Sequence, residues 1–450
     1  MESKSQQETW KFPKEFWLAN GMELLERAAY YGFFVVLTLY LTDIVGFNDK
    51  ETGVVAGVFF ALLYFFPPFV GAIGDKIGFK KGLIVAFTLL TIGYFFLGVF
   101  HSKILVIFFL FVVLIGGSFI KPLITGTVAK TSSEVNKARA FSLFYWIVNI
   151  GAFSGKTVVP GIRQGIGVEY VNFFSSGMAF IALLFAIFIF DPIDRNKPGS
   201  SKSFKEVFRA LITIFKTPRL IILTLIVAGF WIIQHQLYAT MPKYVIRLLG
   251  EEAKPEWLAN VNPLVVVIFV VGVTQVFKKY KAVTAIFIGM AIMPLSGVAM
   301  AMSQSLESIT GPEVSLFGSI VMHPLTIMMI IGIAIQGFAE CFISPRFLEY
   351  FANQSPEGQE GVYMGFSHLH SFFSAIVGFI MSGFLLDAYC PDPKTLPAGL
   401  TEVQRAAYYS DAHMIWWYFV AIAAFAAVSL LIFGIVTSKI DKRNAEESNH

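Results

Sequence analysis

The sequence predicts an all-α membrane protein of about twelve spanning helices, and three observations predict it. Hydrophobic residues make up 56% of the 450-residue chain and charged residues only 14%, against about 45–50% and about 25% in soluble domains. Apolar stretches of about 20 residues, long enough to cross a bilayer, recur from end to end. Lysines and arginines gather in alternate loops, the bias that sets orientation. The net charge of +4 is too small to suggest a nucleic-acid partner. Cys341 and Cys390 carry no metal or disulfide spacing, so neither a metal nor a cofactor is expected. The first apolar segment is too long, and its leader too mixed in charge, for a cleavable signal peptide.

Spans are expected at 16–43, 52–74, 82–100, 104–129, 138–162, 172–191, 219–247, 260–277, 283–302, 318–350, 360–387 and 412–438. One set of loops holds Lys76, Lys80, Lys81, Lys130, Lys137, Arg139, the basic run from Arg195 to Arg219, and Lys278, Lys279 and Lys281. That set is expected to face the cytoplasm, together with both termini, which requires an even number of spans. The organisation expected is a leader (1–15), a first six-helix bundle (16–191), a linker (192–218), a second six-helix bundle (219–438) and a short disordered tail (439–450). In the linker, Phe204, Val207, Phe208, Leu211 and Ile212 fall at helical spacing between basic residues, as in a helix lying on a membrane surface. A multi-pass monomer in the cell (inner) membrane, in contact with lipid, is expected.

Charge inside an apolar span is costly, about 2.5–3.5 kcal/mol each on insertion scales, and marks a bundle interior or a watery cavity. Arg27, Lys121, Lys156, Glu23, Glu26 and Glu340 stand out on that ground. In the first span Glu23, Glu26, Arg27, Tyr30, Tyr31 and Phe34 follow helical spacing and share one face. Arg27 can hold a carboxylate through two parallel hydrogen bonds. Two neighbouring glutamates resist joint ionisation, so one is expected to exchange a proton, with Lys121 as a further cationic partner. The opposite face, with Leu24, Ala28 and Val35, suits packing or lipid. Lys121 follows a run of small residues and precedes Pro122, which bends a helix and frees a carbonyl.

In the tenth span Glu340 and Ser344 share a face, making Glu340 the acidic group of the second half. Basic groups in one half and an acid in the other suit a zwitterionic ligand. His235, His368 and His370 also lie in spans, and each could carry a proton; His370 reads as structural. Ser154-Gly155-Lys156-Thr157 looks like the end of a phosphate-binding loop. Ile150 stands where the first glycine should be, and no strand precedes it. Lys156 is instead expected toward the outer end of its span, as a gate charge.

Gly71-Ala72-Ile73-Gly74-Asp75-Lys76-Ile77-Gly78-Phe79-Lys80-Lys81 closely resembles the loop signature of the major facilitator superfamily. Within that superfamily, Glu23-x-x-Glu26-Arg27-x-x-Tyr30-Tyr31-Gly32 resembles the first-helix signature of the proton-dependent oligopeptide transporters. So do Gly117-Ser118-Phe119-Ile120-Lys121-Pro122, the run from Phe144 to Gly151, Asn262-Pro263-Leu264, and Glu340 with Ser344-Pro345. Tyr64 matches a tyrosine that family carries on its second helix.

The resemblance implies a major facilitator fold of twelve helices in two six-helix halves. It implies a proton-coupled symporter of di- or tripeptides, driven by the proton gradient and not an enzyme. Glu23 and Glu26 would couple to protons, Arg27 and Lys121 would bind the peptide carboxyl end, and Glu340 the amino end. Tyr30, Tyr31, Tyr64, Asn149 and Asn262 would hold the backbone, with Trp231, His235 and Ser344 in the second-half wall. Gly71, Gly74, Asp75, Gly78 and Lys80 would form the signature loop. Ala28 replaces the aromatic that usually follows the arginine. His235 and the pair Ser367-His368 also depart from the family pattern. These departures leave open an antiporter or exporter of drugs or metabolites, or a carrier of a non-peptide anion.

Overall fold

The computed structural model describes residues 11–67, 69–70, 73, 77–132, 137–191, 205–206, 208–209, 212, 216–277, 279–316, 319–353 and 366–447. Those residues are helical throughout, apart from loops and one two-stranded hairpin. Ten stretches are long and apolar enough to cross a membrane. The chain divides into two compact units, Met1–Phe47 with Leu62–Arg209, and Asn48–Ala61 with Ala210–His450.

The first unit is built on α1 (Lys14–Asp43), the end of α2 (Asp49–Phe65), α3 (Phe79–Val99), α4 (Lys103–Lys130), α5 (Lys137–Gly165) and α6 (Tyr170–Leu184). The last runs on through a π-helical turn, Phe185–Ile189. Lipid offers no hydrophobic drive for helices to associate, so close backbone approach at small residues does that work. A Cβ on Gly93 of α3 would sit 2.6 Å from Val113 of α4, and one on Gly116 would sit 2.9 Å from the Ala86 carbonyl. α1 packs on α5 and α6, and the Ser175 hydroxyl of α6 donates to the Ala29 carbonyl of α1 at 2.8 Å.

The second unit takes up the start of α2 and then α7 (Pro218–Gln234), α8 (Gln236–Ala239), α9 (Met241–Leu249), α10 (Pro255–Leu258), α11 (Val261–Phe277), α12 (Ala282–Ala301) and α13 (Ser303–Thr310). The hairpin β1 (Val314–Leu316) and β2 (Ile320–Met322) follows, then α14 (Pro324–Asn353), α15 (Leu369–Tyr389), α16 (Glu402–Ala407) and α17 (Met414–Glu447). α14 packs on α11 and α12, and α17 on α7 and α12.

Several expectations need correction. The tenth span starts at Pro324, because Ile320–Met322 form a strand paired to Val314–Leu316. The seventh is divided by single turn residues at His235 and Thr240, although backbone bonds run through both, from the His235 amide to the Trp231 carbonyl at 2.9 Å and from the Thr240 amide to the Gln236 carbonyl at 3.2 Å. Pro242 supplies no amide hydrogen. Side chains add to these bonds: Gln236 Nε2 donates to the Ile232 carbonyl at 2.6 Å, Thr240 Oγ1 donates to Gln236 Oε1 at 2.6 Å, and Thr240 Oγ1 lies 2.7 Å from Ser382 Oγ of α15. The tail is not disordered through its described part. α17 continues to Glu447, supported by an i,i+4 Arg443–Glu447 pair and by Asp441 bound to Arg219. Most of the expected linker helix, including Phe204, Val207 and Leu211, lies outside the described residues.

Candidate functional site

The polar face of α1 folds inward in the first unit. Glu23 and Glu26 are each 2% exposed and Arg27 is buried with them. Arg27 pairs with Glu26 and, through Nε at 3.3 Å, with Glu23. Glu23 Oε2 is buried with no hydrogen-bond partner among the described residues. The guanidinium lies 4.8 Å from the Tyr30 ring centre and 5.9 Å from that of Tyr31, within cation–π range. Half-buried Lys121 of α4 places Nζ 4.9 Å from the Tyr64 ring. Asn149 turns its amide to the Tyr145 carbonyl one turn back, at 2.8 Å.

This face is held by α5. A Cβ on Gly151 would come within 2.6 Å of the Leu24 carbonyl and 2.8 Å of Arg27 Cβ, and one on Gly155 would overlap the Ala28 carbonyl. Gly151 and Gly155 are four apart, the small-xxx-small spacing of closely packed membrane helices. The segment that looks like a phosphate loop is therefore a helix-packing stripe. Gly155→Ala is expected to lower the unfolding temperature of the detergent-solubilised protein. Gly161→Ala, where a Cβ meets nothing within 4 Å, should leave it unchanged or slightly raised. Equal melting of the two variants would refute the packing role.

In the second unit, Glu340 of α14 accepts from Gln234 Nε2 at 2.9 Å and from Asn262 Nδ2 at 3.4 Å. Gly337, one turn before Glu340, lets α11 approach, with the Asn262 carbonyl 2.9 Å from a Cβ placed there. At the end of α7 and on α14, the Trp231 indole Nε1, Gln234 Oε1, His235 Nε2 and Ser344 Oγ are buried without hydrogen-bond partners among the described residues. Trp231 meets the His370 ring edge-on at 5.1 Å, and His235 packs at 5.8 Å from Phe379. His370 stacks on Phe347 and accepts from the Ser371 amide, a structural arrangement. His368 is exposed.

Of the signature loop, Gly71, Gly74 and Asp75 lie outside the described residues. Gly78 has φ +89°, a backbone shape that costs glycine nothing. Lys80 is half-buried in the first turn of α3. Lys156 is 1% exposed, with Nζ 5.5 Å from the Tyr31 ring.

Two buried ionic groups escaped the sequence reading. Asp49, ahead of the apolar part of α2, bonds Lys243 Nζ at 2.7 Å and both Arg247 nitrogens, at 2.7 and 2.9 Å. Arg247 also donates to the Cys390 carbonyl at 2.6 Å. Burial alone would raise the Asp49 carboxyl, but Lys243 and Arg247 hold it below the usual carboxylate range. Arg346 pairs with Glu349 and donates to the carbonyls of Phe277, at the end of α11, and Tyr280, just beyond it. The pairing of Lys243 and Arg247 one turn apart was the available signal; the partner, Asp49, is 194 residues from Lys243.

Among known proteins, the chain is similar to dipeptide and tripeptide permease B of Aliivibrio fischeri (strain MJ11), at 32% identity over 39% of this chain and 36% of that protein. It is also similar to dipeptide and tripeptide permease A of Pectobacterium carotovorum subsp. carotovorum (strain PC1), at 26% over 50% of this chain and 45% of that protein. The matched part of the chain thus spans less than half the length of these curated relatives. A solved proton dependent oligopeptide transporter superposes with TM-score 0.72 at 18% identity, covering 95% of this chain and 99% of that one. A POT family transporter solved with 5-aminolevulinic acid does so with TM-score 0.72 at 17%, covering 96% and 98%. At such identities the likeness is one of fold. The model of the Major Facilitator Superfamily matches residues 21–317, more than half of the chain, and the chain belongs to that superfamily.

Proposed function

We propose that this chain is a proton-driven symporter that imports di- or tripeptides, or similar small zwitterionic solutes, by alternating access. In this reading twelve helices span the cell membrane, the ten apolar ones together with α2 and α5. α2 is described over only 17 residues, and α5 carries Asn149 and Lys156 in its middle. Both termini face the cytoplasm, following the basic loops. The energy source is the proton gradient, with no cofactor, and the protein works as a monomer.

The observation that carries the reading is the buried pair Glu23 and Glu26 sharing the Arg27 guanidinium. A proton taken up by the pair relieves like-charge repulsion and alters how firmly Arg27 is held. Arg27 and Lys121 are then the groups for a ligand carboxylate and Glu340 the group for its amine. Trp231, Asn262 and Ser344 add polar contacts, and Tyr30, Tyr31 and Tyr64 supply aromatic walls. The relatives named dipeptide and tripeptide permease support the substrate class.

Purified protein in liposomes is expected to accumulate a dipeptide when an inward proton gradient is imposed. Lys121→Ala should abolish accumulation, since the glutamate pair loses a cationic neighbour. No gradient-driven uptake across a peptide panel would remove the peptide reading. Full concentrative uptake by the Lys121 variant would remove the coupling scheme.

A further inference from the structure

Gln234 closes α7 and has no part in the scheme above. It is 5% exposed, and its Nε2 donates to Glu340 Oε2 of α14 at 2.9 Å. Asn262 of α11 offers a second amide to the same oxygen, but at 3.4 Å, beyond the usual range and too long to hold it alone. The other end of the Gln234 amide, Oε1, is buried without a hydrogen-bond partner among the described residues. A buried carbonyl left unsatisfied costs stability. The value of this glutamine therefore lies in the donor it supplies to one carboxylate oxygen.

That donor is firmly seated. Two residues on, Gln236 Nε2 donates to the Ile232 carbonyl at 2.6 Å and to the Gly378 carbonyl of α15 at 3.3 Å. The two glutamines flank His235 and reach different helices: Gln236 ties the end of α7 to α15, and Gln234 turns its amide to α14. The last torsion of a glutamate side chain is broad, so its carboxylate turns easily. A hydrogen bond to one named oxygen selects one orientation. An amide does this without cancelling the charge, unlike the guanidinium on Glu26. Glu340 is half-buried and Gln234 fully so, which suits the amide to supporting the carboxylate rather than to meeting a ligand itself.

The geometry points to Gln234 as a positioning residue that fixes the Glu340 carboxylate for the ammonium group of the ligand. This rests on the peptide reading above, in which Glu340 receives the amine.

The test compares Gln234→Met, similar in size and without a donor, with wild type. The measurements are gradient-driven uptake of Ala-Ala in liposomes, its inhibition by N-acetyl-Ala-Ala, and thermal unfolding in detergent. In the variant the KM for Ala-Ala should rise about tenfold, the weight of one hydrogen bond to a charged group, with kcat held. Inhibition by N-acetyl-Ala-Ala, which carries no ammonium, should be the same in both proteins, and the unfolding temperature should not fall. Gln234→Asn, one methylene shorter, should repeat the rise in KM and decides the matter if Gln234→Met does not fold. An unchanged KM overturns the inference and leaves the peptide reading intact. So does a loss in kcat alone, or equal weakening of Ala-Ala and N-acetyl-Ala-Ala, either of which marks a structural role. Wild-type protein that binds N-acetyl-Ala-Ala as well as Ala-Ala overturns it too, since no ammonium is then recognised. Wild-type protein that transports neither Ala-Ala nor any other peptide of the panel overturns both readings.

Discussion

Arg27→Met is expected to be the most damaging single change in the first unit. The substitution keeps an unbranched stem and removes the charge. It leaves Glu23 and Glu26, each 2% exposed, side by side with no guanidinium between them. Removing one partner of a buried ionic group costs about 3–5 kcal/mol, because the charge left behind is uncompensated. The measurement is thermal unfolding of the purified protein in detergent, with uptake in parallel. A triple variant, Glu23→Gln with Glu26→Gln and Arg27→Met, should recover much of the lost stability while staying inactive, since uncharged replacements remove the penalty. A single variant that melts within about 2 °C of wild type would show that the ion pairs are not what holds α1 in place.

The second large effect is expected at Asp49. Asp49→Ala leaves Lys243, 2% exposed, and Arg247 without their shared carboxylate, again a loss of about 3–5 kcal/mol. The direction of the Asp49 shift also gives a pH dependence. Its folded pKa lies below the ordinary value of about 3.9. The carboxylate therefore contributes its full stability above that ordinary value and loses it as pH falls through the lower, folded value. Wild-type unfolding temperature should decline as the medium is acidified below about pH 4, and Asp49→Asn should flatten that part of the curve while lowering the plateau. An unchanged acid slope in Asp49→Asn would assign the slope to other carboxylates.

The face of α1 was legible because everything it needs is local. Glu23, Glu26, Arg27, Tyr30 and Tyr31 declare a shared side through helical spacing, and charge in an apolar stretch declares its direction. Glu340 could be singled out for the same reason. Its partner Gln234 was not, because a glutamine in an apolar helix costs too little to attract notice and the two are 106 residues apart. The packing role of Gly155 was not visible, because it depends on Ala28 of another helix. The strand Ile320–Met322 was taken into a span because Ile320, Val321 and Met322 are as apolar as the helix they precede. Asp49, Lys243 and Arg247 each look like ordinary helix-end charges until the fold joins them.

The joints between α7 and α9 have a mechanical consequence. Backbone hydrogen bonds run through His235 and Thr240, and the Thr240 hydroxyl also ties that joint to Ser382 of α15. Stress entering at α9, where Asp49 holds Lys243 and Arg247, is therefore shared with α15 before it reaches the segment carrying Trp231 and Gln234.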